Sequence, residues 1–407
     1  MLAPCFARQV MATATTIPTA SQNPPLKRIL RGRRSDSTPT LFPDVPANRD
    51  SGPDVLQPPG SAPERVGIAR LASSSPLADA KRGTEYFLLP VRSILNHCDS
   101  DRVPFSWTIN PYRGCEFGCK YCYARYTHEY MELDGSDFER KIYVKQDSGR
   151  VVRRDMSMEK IWGEHIAIGT ATDPYQPAER EFGATRAILE QMAERKGLSV
   201  SITTKSDQVV RDLDVLRRIA EHSSISVNLS ITTLRTRLAR MLEPRAPRPD
   251  LRMNAVRELR GAGISAGVFA MPVLPGITDR EEDLDALARA ARDAGAQWFA
   301  ASVLFLMPSA QKQFLPFLDA KFPKLARRYR EWFSKSSYAP ETYRREISAR
   351  VASLRRKYSL GARPMEMAHP AEGTQQLNLG LEFSVAAKGA ERLASAGAAY
   401  SPLKVLG

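Results

Sequence analysis

Cysteine is scarce in this 407-residue chain: there are five, and none follows Cys122. So few thiols in so long a chain make no disulfide framework and suit a reducing compartment, so a cytoplasmic protein is expected. Acids are missing from the first 34 residues, where Arg8, Lys27, Arg28, Arg31, Arg33 and Arg34 stand unopposed. That bias, with Ser and Thr, is the composition of a transit peptide, but no clear amphipathic helix accompanies it and Met11 offers an alternative start. Apolar periodicity is absent from residues 1–63, which carry eleven prolines instead. Such a segment cannot bury enough apolar surface to order itself, and disorder is expected across 1–84. No apolar run approaches the roughly 20 residues of a spanning helix, so a soluble protein without a membrane partner is expected.

The formal net charge of +14 is unevenly spread. The first 34 residues contribute +6, and 315–363 contribute +9 from thirteen Lys and Arg against Asp319, Glu331, Glu341 and Glu346. With −1 in 364–407, the stretch 35–314 is left neutral. A neutral core speaks against electrostatic binding of nucleic acid there. The basic flanks could steer an anionic partner, nucleic acid included, or simply present solvated Arg-rich faces.

Three of the five cysteines fall within eight residues, Cys115, Cys119 and Cys122 in Arg113-Gly-Cys-Glu-Phe-Gly-Cys-Lys-Tyr-Cys-Tyr123. The spacing C-x3-C-x2-C lets three thiolates wrap one face of a 4Fe–4S cube. Three ligands for four irons leave one iron open, and an open metal position marks a reactive site. A structural zinc site would need a fourth ligand, for which Cys98 is a distant candidate and His128 lies six residues on. A four-cysteine electron-transfer cluster would need one more cysteine beside the run. Ligation by Cys115, Cys119 and Cys122 alone is the expectation.

The pattern C-x3-C-x-aromatic-C, with Tyr121 as the aromatic, resembles the signature of radical S-adenosylmethionine (SAM) enzymes. The longer string Ile109-Asn-Pro-Tyr-Arg-Gly-Cys115, continuing to Tyr121-Cys-Tyr-Ala-Arg125, is similar to the branch related to spore photoproduct lyase, whose members are often labelled DNA repair photolyases. The resemblance covers about residues 85–345 and extends to Gly169-Thr-Ala-Thr-Asp-Pro-Tyr-Gln-Pro-Ala-Glu179. It implies that a reduced 4Fe–4S cluster passes one electron to SAM, giving methionine and a 5′-deoxyadenosyl radical that abstracts hydrogen from an unknown substrate. A one-electron reductant of flavodoxin or ferredoxin type is implied as partner. Lesion repair in nucleic acid is an analogy at family level. Two other readings stand beside it. One is a different radical SAM task on a peptide, tRNA or small molecule; the other is a non-catalytic iron–sulfur or nucleic-acid-binding module.

From about residue 105 short β-rich runs alternate with helical patterns, the sign of an α/β fold with a parallel sheet. Strands are expected at 105–109, 165–169, 198–203, 225–231, 265–271 and 298–304, and helices at 121–132, 178–195, 208–221, 249–262 and 280–294. The last helix carries a capping-box pattern, Thr278 with Glu281, and Gly295 to close it. Periodicity alone equally suits a six-stranded doubly wound sheet. The cysteine loop directly after the first strand tips the reading to the partial (βα)6 radical SAM barrel of the resemblance, with chemistry gathered after the strands. The expected division is a disordered segment 1–84, a core barrel 85–314, a basic helical extension 315–360 and a tail 361–407.

SAM brings an amino and a carboxylate group to the open iron, so acceptors, a cation and a close backbone surface are needed. Gly169 allows close approach, and Thr170, Thr172 and Asp173 offer oxygens; the plainer reading is a turn and helix cap. Lys205, after the third strand, matches the place of a lysine that meets the SAM carboxylate in the related enzymes; otherwise it is a surface group. Ser230 is a ribose or carboxylate contact or a core hydroxyl. Arg245 clamps a carboxylate or pairs with Glu243. Pro272-Val-Leu-Pro-Gly276 resembles the adenine-side loop or is a plain turn, and Tyr121 is placed to stack near adenine.

Overall fold

The computed structural model describes residues 65–362, apart from 82, 99–102, 158–160 and 162. It opens with α1 (Gly67–Ser74), β1 (Leu77–Lys81), β2 (Thr84–Leu89) and β3 (Leu95–His97). Structure therefore begins before residue 85, which corrects the expected boundary of the N-terminal segment; residues 1–64 lie outside the described residues. Next come β4 (Trp107–Ile109), β5 (Tyr112–Arg113), α2 (Tyr126–Glu129), β6 (Lys141–Lys145), α3 (Ser148–Asp155), β7 (His165–Ile168), α4 (Glu179–Phe182) and α5 (Ala184–Ala193). The chain continues through β8 (Ser199–Thr204), α6 (Leu213–Ala220), β9 (Ser224–Ser230), α7 (Thr236–Leu242), α8 (Pro249–Gly261), β10 (Ser265–Val273), α9 (Glu281–Asp293) and β11 (Phe299–Val303). It ends in α10 (Pro308–Lys321), α11 (Pro323–Phe333) and α12 (Glu341–Tyr358).

All six expected strands form and join in one sheet of order β11-β10-β9-β8-β7-β4-β3. Every neighbouring pair from β4 to β11 is parallel, and β3 adds an antiparallel edge. The sheet has two edges, β11 and β3, so the barrel is open. Its strands are rich in β-branched residues, and Val200, Ile202, Val227, Leu229 and Val268 are at most 1% exposed. Near-continuous burial is what a parallel strand covered on both faces requires. A smaller sheet, β1-β2-β6-β5, stands beside the cysteine loop, which β5 feeds directly.

The helices depart from expectation where local chemistry intervenes. Helix 121–132 shrinks to a 3-10 turn at Tyr123–Arg125 and the short α2, because the cysteine loop occupies its first residues. Helix 178–195 is cut at Gly183, whose φ of 58° is left-handed and ends one turn before the next begins. The start of 208–221 is a 3-10 segment, Asp207–Asp212. The capping box of α9 does not form: Arg280 holds the cap position without a side-chain bond, and the Thr278 hydroxyl accepts from the Leu274 N–H instead.

The basic C-terminal helices belong to the fold. The boundary expected at 314/315 falls inside α10. The Tyr329 hydroxyl donates to the Pro275 carbonyl at 2.8 Å, and the Phe299 N–H donates to the Gly361 carbonyl at 3.1 Å. Much of the helices' charge is matched locally, by Arg327–Glu331, Arg330–Asp319, Arg345–Glu341, Arg350–Glu346 and Lys357–Asp285. Among the described residues no helix is long and apolar enough to cross a membrane.

Candidate active site

The cysteine loop is held from several sides. Cys115 N–H donates to the Phe138 carbonyl (2.9 Å), Lys120 N–H to Leu242 (2.9 Å) and Arg245 N–H to Phe117 (3.2 Å). From the β7 side, Gln176 Oε1 accepts from Glu116 N–H at 3.0 Å. Arg125, 1% exposed, reaches the Cys119 carbonyl and pairs with Glu139 at 2.6 Å. These bonds fix a segment with little regular structure of its own.

Cys115, Cys119 and Cys122 border one cavity of about 230 Å³ at the ends of the parallel strands. Burial pushes all three thiols up, and the neighbouring cysteines add to this for Cys115. Neutral, crowded thiols of this kind become good ligands only by losing protons to a metal. Among the described residues no three His, Cys, Asp or Glu side chains converge to hold a single metal ion. A cube of several irons asks for thiolates on separate corners instead. Neither zinc alternative gains a fourth ligand: Cys98 does not line the cavity. His128 is a core histidine, with Nε2 2.9 Å from the Lys141 carbonyl and its pKa lowered to about 4 by burial.

The β7 loop forms the next wall. Gly169 has φ 89°, and a Cβ there would lie 2.5 Å from the Thr203 carbonyl and 2.7 Å from Pro174 Cδ. Only glycine lets the loop press this closely on β8. Asp173 accepts from Thr204 Oγ1 (2.6 Å), Lys205 N–H (2.7 Å) and Tyr175 N–H (2.9 Å), which joins the ends of β7 and β8. Burial raises its pKa against the pull of these bonds. A carboxylate has about four lone-pair sites, so Asp173 keeps one for a ligand. Thr172 lines the cavity, but its hydroxyl donates to the Gly114 carbonyl (2.6 Å) and accepts from Gln176 (3.1 Å), so it braces the cysteine loop. Thr170 accepts from Asn110 Nδ2 at 3.0 Å through its hydroxyl and from the Tyr123 hydroxyl through its carbonyl.

Lys205 and Asp173 are the charged side chains among the described lining residues. Lys205 Nζ lies 5.9 Å from the centroid of the Tyr121 ring. The Tyr121 hydroxyl donates to Glu243, which also accepts from Thr232 at 2.8 Å and pairs with Arg252 at 2.6 Å. Glu243 and Arg252 are each 1% exposed. Burial alone would raise the Glu243 carboxyl, but Arg252, then Lys205, with the two hydroxyl donors, hold it below the usual range. Ser230 lines the cavity while its carbonyl accepts from Arg252 at 3.0 Å. The opposite wall is apolar, with Phe269, Met271, Pro272, Val303, Leu304 and Phe305.

Two expectations need correction. Arg245 does not line the cavity; it points to Thr84 Oγ1 and the Glu139 carbonyl, and the partner of Glu243 is Arg252. Of the segment 272–276, Pro272 faces the cavity while Pro275 and Gly276 meet α11, because β10 runs on to Val273. Sequence reasoning missed Arg252, took Glu243 only as a partner for Arg245, and gave no role to Asn110 and Gln176, which lie inside the two strings that carry the resemblance. An acid set among apolar residues and prolines, as in Leu242-Glu-Pro-Arg-Ala-Pro247, was a hint of burial; nothing local pointed to Arg252.

The residues fit the groups that the motif implies. Three thiols share one cavity, a cation and a carboxylate with a spare lone pair stand beside them, and Gly169 provides a cradle that a side chain would fill. The Radical SAM superfamily model matches residues 109–288. An uncharacterised protein of Mycobacterium tuberculosis is 34% identical over 299 residues, covering 73% of this chain and 86% of that one. An uncharacterised protein of Methanocaldococcus jannaschii is 34% identical over 179 residues, covering 43% of this chain and 63% of its own. Among solved structures, spore photoproduct lyase complexed with dinucleoside spore photoproduct superposes with a TM-score of 0.52 at 16% identity, over 75% of this chain and 86% of that one. A double mutant of that enzyme with bound AdoMet and the dinucleoside gives 0.51 at 17% identity, over 74% and 86%. At these identities the likeness concerns the fold. The chain belongs to the radical SAM superfamily, and it is an enzyme with a partial barrel of the kind seen in spore photoproduct lyase.

Proposed function

We propose that the cavity holds a 4Fe–4S cluster on Cys115, Cys119 and Cys122 with S-adenosylmethionine beside it, and that the enzyme abstracts hydrogen from an uncharged part of its substrate. The observation that carries this is the meeting, in one cavity, of the three motif thiols with Lys205 and Asp173. When bound, the two groups supply one-electron cleavage of a sulfonium and a carbon-centred radical. Lys205 offers a flexible point charge for the SAM carboxylate. Asp173, through its remaining lone pair, and the backbone around Gly169 offer acceptors for the amine. Tyr121 lines the same cavity, with its ring centroid 5.9 Å from Lys205 Nζ.

The wall from β10 and β11 keeps water from a reactive intermediate. It also supports an uncharged substrate, since a phosphate against Phe269, Val303 and Phe305 would be desolvated with no further cation among the described lining residues. The reductant is proposed to be of flavodoxin or ferredoxin type, in a reducing cytoplasm. Anaerobic reconstitution tests the site. Four irons per chain, and a reduced-cluster electron paramagnetic resonance signal that changes on adding SAM, are expected. A signal indifferent to SAM would remove the open iron from the account.

A further inference from the structure

A buried carboxylate attracts whatever cation is within reach, because charges interact strongly away from water. Glu243 has two. Arg252 Nη2 lies 2.6 Å from its Oε2, and Lys205 stands across Tyr121, whose hydroxyl donates to Glu243. Arg252 is itself fixed, with Nε donating to the Pro247 carbonyl at 2.8 Å and Nη1 to the Ser230 carbonyl at 3.0 Å. Lys205 has no such anchor for its amine among the described residues: its backbone N–H is tied to Asp173, and its Nζ faces the ring and the cavity.

A buried ion pair adds little net stability over apolar residues of the same volume, so its presence beneath a reactive cavity asks for another reason. We propose that Arg252 is a positioning residue that neutralises Glu243 and thereby leaves Lys205 free to hold the carboxylate of S-adenosylmethionine. The inference rests on the assignment of Lys205 made above and extends it to two residues that touch no ligand. Without Arg252, the charge of Glu243 draws the Lys205 amine toward Tyr121 and away from the cavity. Removing both members of the pair removes the competitor as well, and Lys205 is freed again. A pair that merely staples α8 to the end of α7 makes the opposite demand, because the double change then leaves the staple just as broken.

The test uses the full chain, reconstituted anaerobically, with SAM affinity read by equilibrium dialysis and iron content as the control for an intact site. Arg252→Met weakens SAM binding about tenfold or more at unchanged iron content. Arg252→Lys, which keeps the charge, stays near wild type, and Glu243→Gln with Arg252→Met recovers to within about threefold of it. Affinity unchanged in Arg252→Met, or a double variant as weak as the single, overturns the inference while leaving the wild-type reading intact. Failure of the wild type to bind SAM removes both. Where Arg252→Met does not fold, the double variant decides: binding near wild type supports the proposal, and a tenfold loss contradicts it.

Discussion

Cys115, Cys119 and Cys122 each meet the same cavity, whereas Cys98 is buried elsewhere. Replacing any of the three by Ala is expected to abolish bound iron and the brown colour of reconstituted protein. Cys98→Ala keeps both, and equal iron loss from it would mean a four-cysteine site. Lys205→Ala is expected to keep the cluster and weaken SAM binding about ten- to hundredfold, the worth of a charge-assisted contact at roughly 1.5–3 kcal/mol. An unchanged dissociation constant in a titration of the reconstituted variant would exclude Lys205 as the carboxylate's partner. At this scale the sequence was informative wherever a residue type has few uses. Clustered thiols have almost no structural role without a metal, so they were legible. Arg245 was not, because an arginine's partner depends on which loop folds against it, and the burial of Arg252 on α8 against Glu243 could only be found from the packed structure.

At the level of elements, the six parallel strands were legible because apolar β-branched runs with helical spacers have few other outcomes. Helix ends were less so. A competing local bond wins at Thr278, whose hydroxyl accepts from the Leu274 N–H four residues earlier, and the cysteine loop consumes the first turn of an expected helix. The β7 loop carries a prediction of its own. Gly169→Ala forces a Cβ against the Thr203 carbonyl in a left-handed backbone, which should cost about 1–3 kcal/mol or more. The denaturant midpoint should fall accordingly, and SAM affinity with it, since Asp173 and Lys205 share that junction. An unshifted midpoint would show that β7 and β8 can part here without cost.

For the whole molecule, shared architecture and shared reaction come apart. The fold is that of spore photoproduct lyase, but no cysteine follows Cys122, and Cys98 is not a lining residue of the cavity. The resemblance to spore photoproduct lyase implies a repair route in which a cysteine downstream of the cluster motif returns hydrogen to the product radical. Tyr123 lines the cavity, but its hydroxyl hydrogen is engaged in a bond to the Thr170 carbonyl instead of facing a product radical. Little or no activity on spore-type photoproduct DNA is therefore expected from SAM-competent protein, and clean multiple-turnover repair would overturn this. On the proposed reading the substrate meets an apolar wall from β10, the end of β11 and the segment before β4, and it was not legible because side chains such as Phe105, Met271 and Phe305 read in sequence as ordinary core. The central claim, a cavity built to open SAM with one electron, is tested most directly by incubating the reconstituted, dithionite-reduced enzyme with SAM under anaerobic conditions. Methionine and 5′-deoxyadenosine should form in equal amounts in the wild type and in neither Cys119→Ala nor unreduced protein. A wild type with a full cluster that leaves SAM intact would contradict the account.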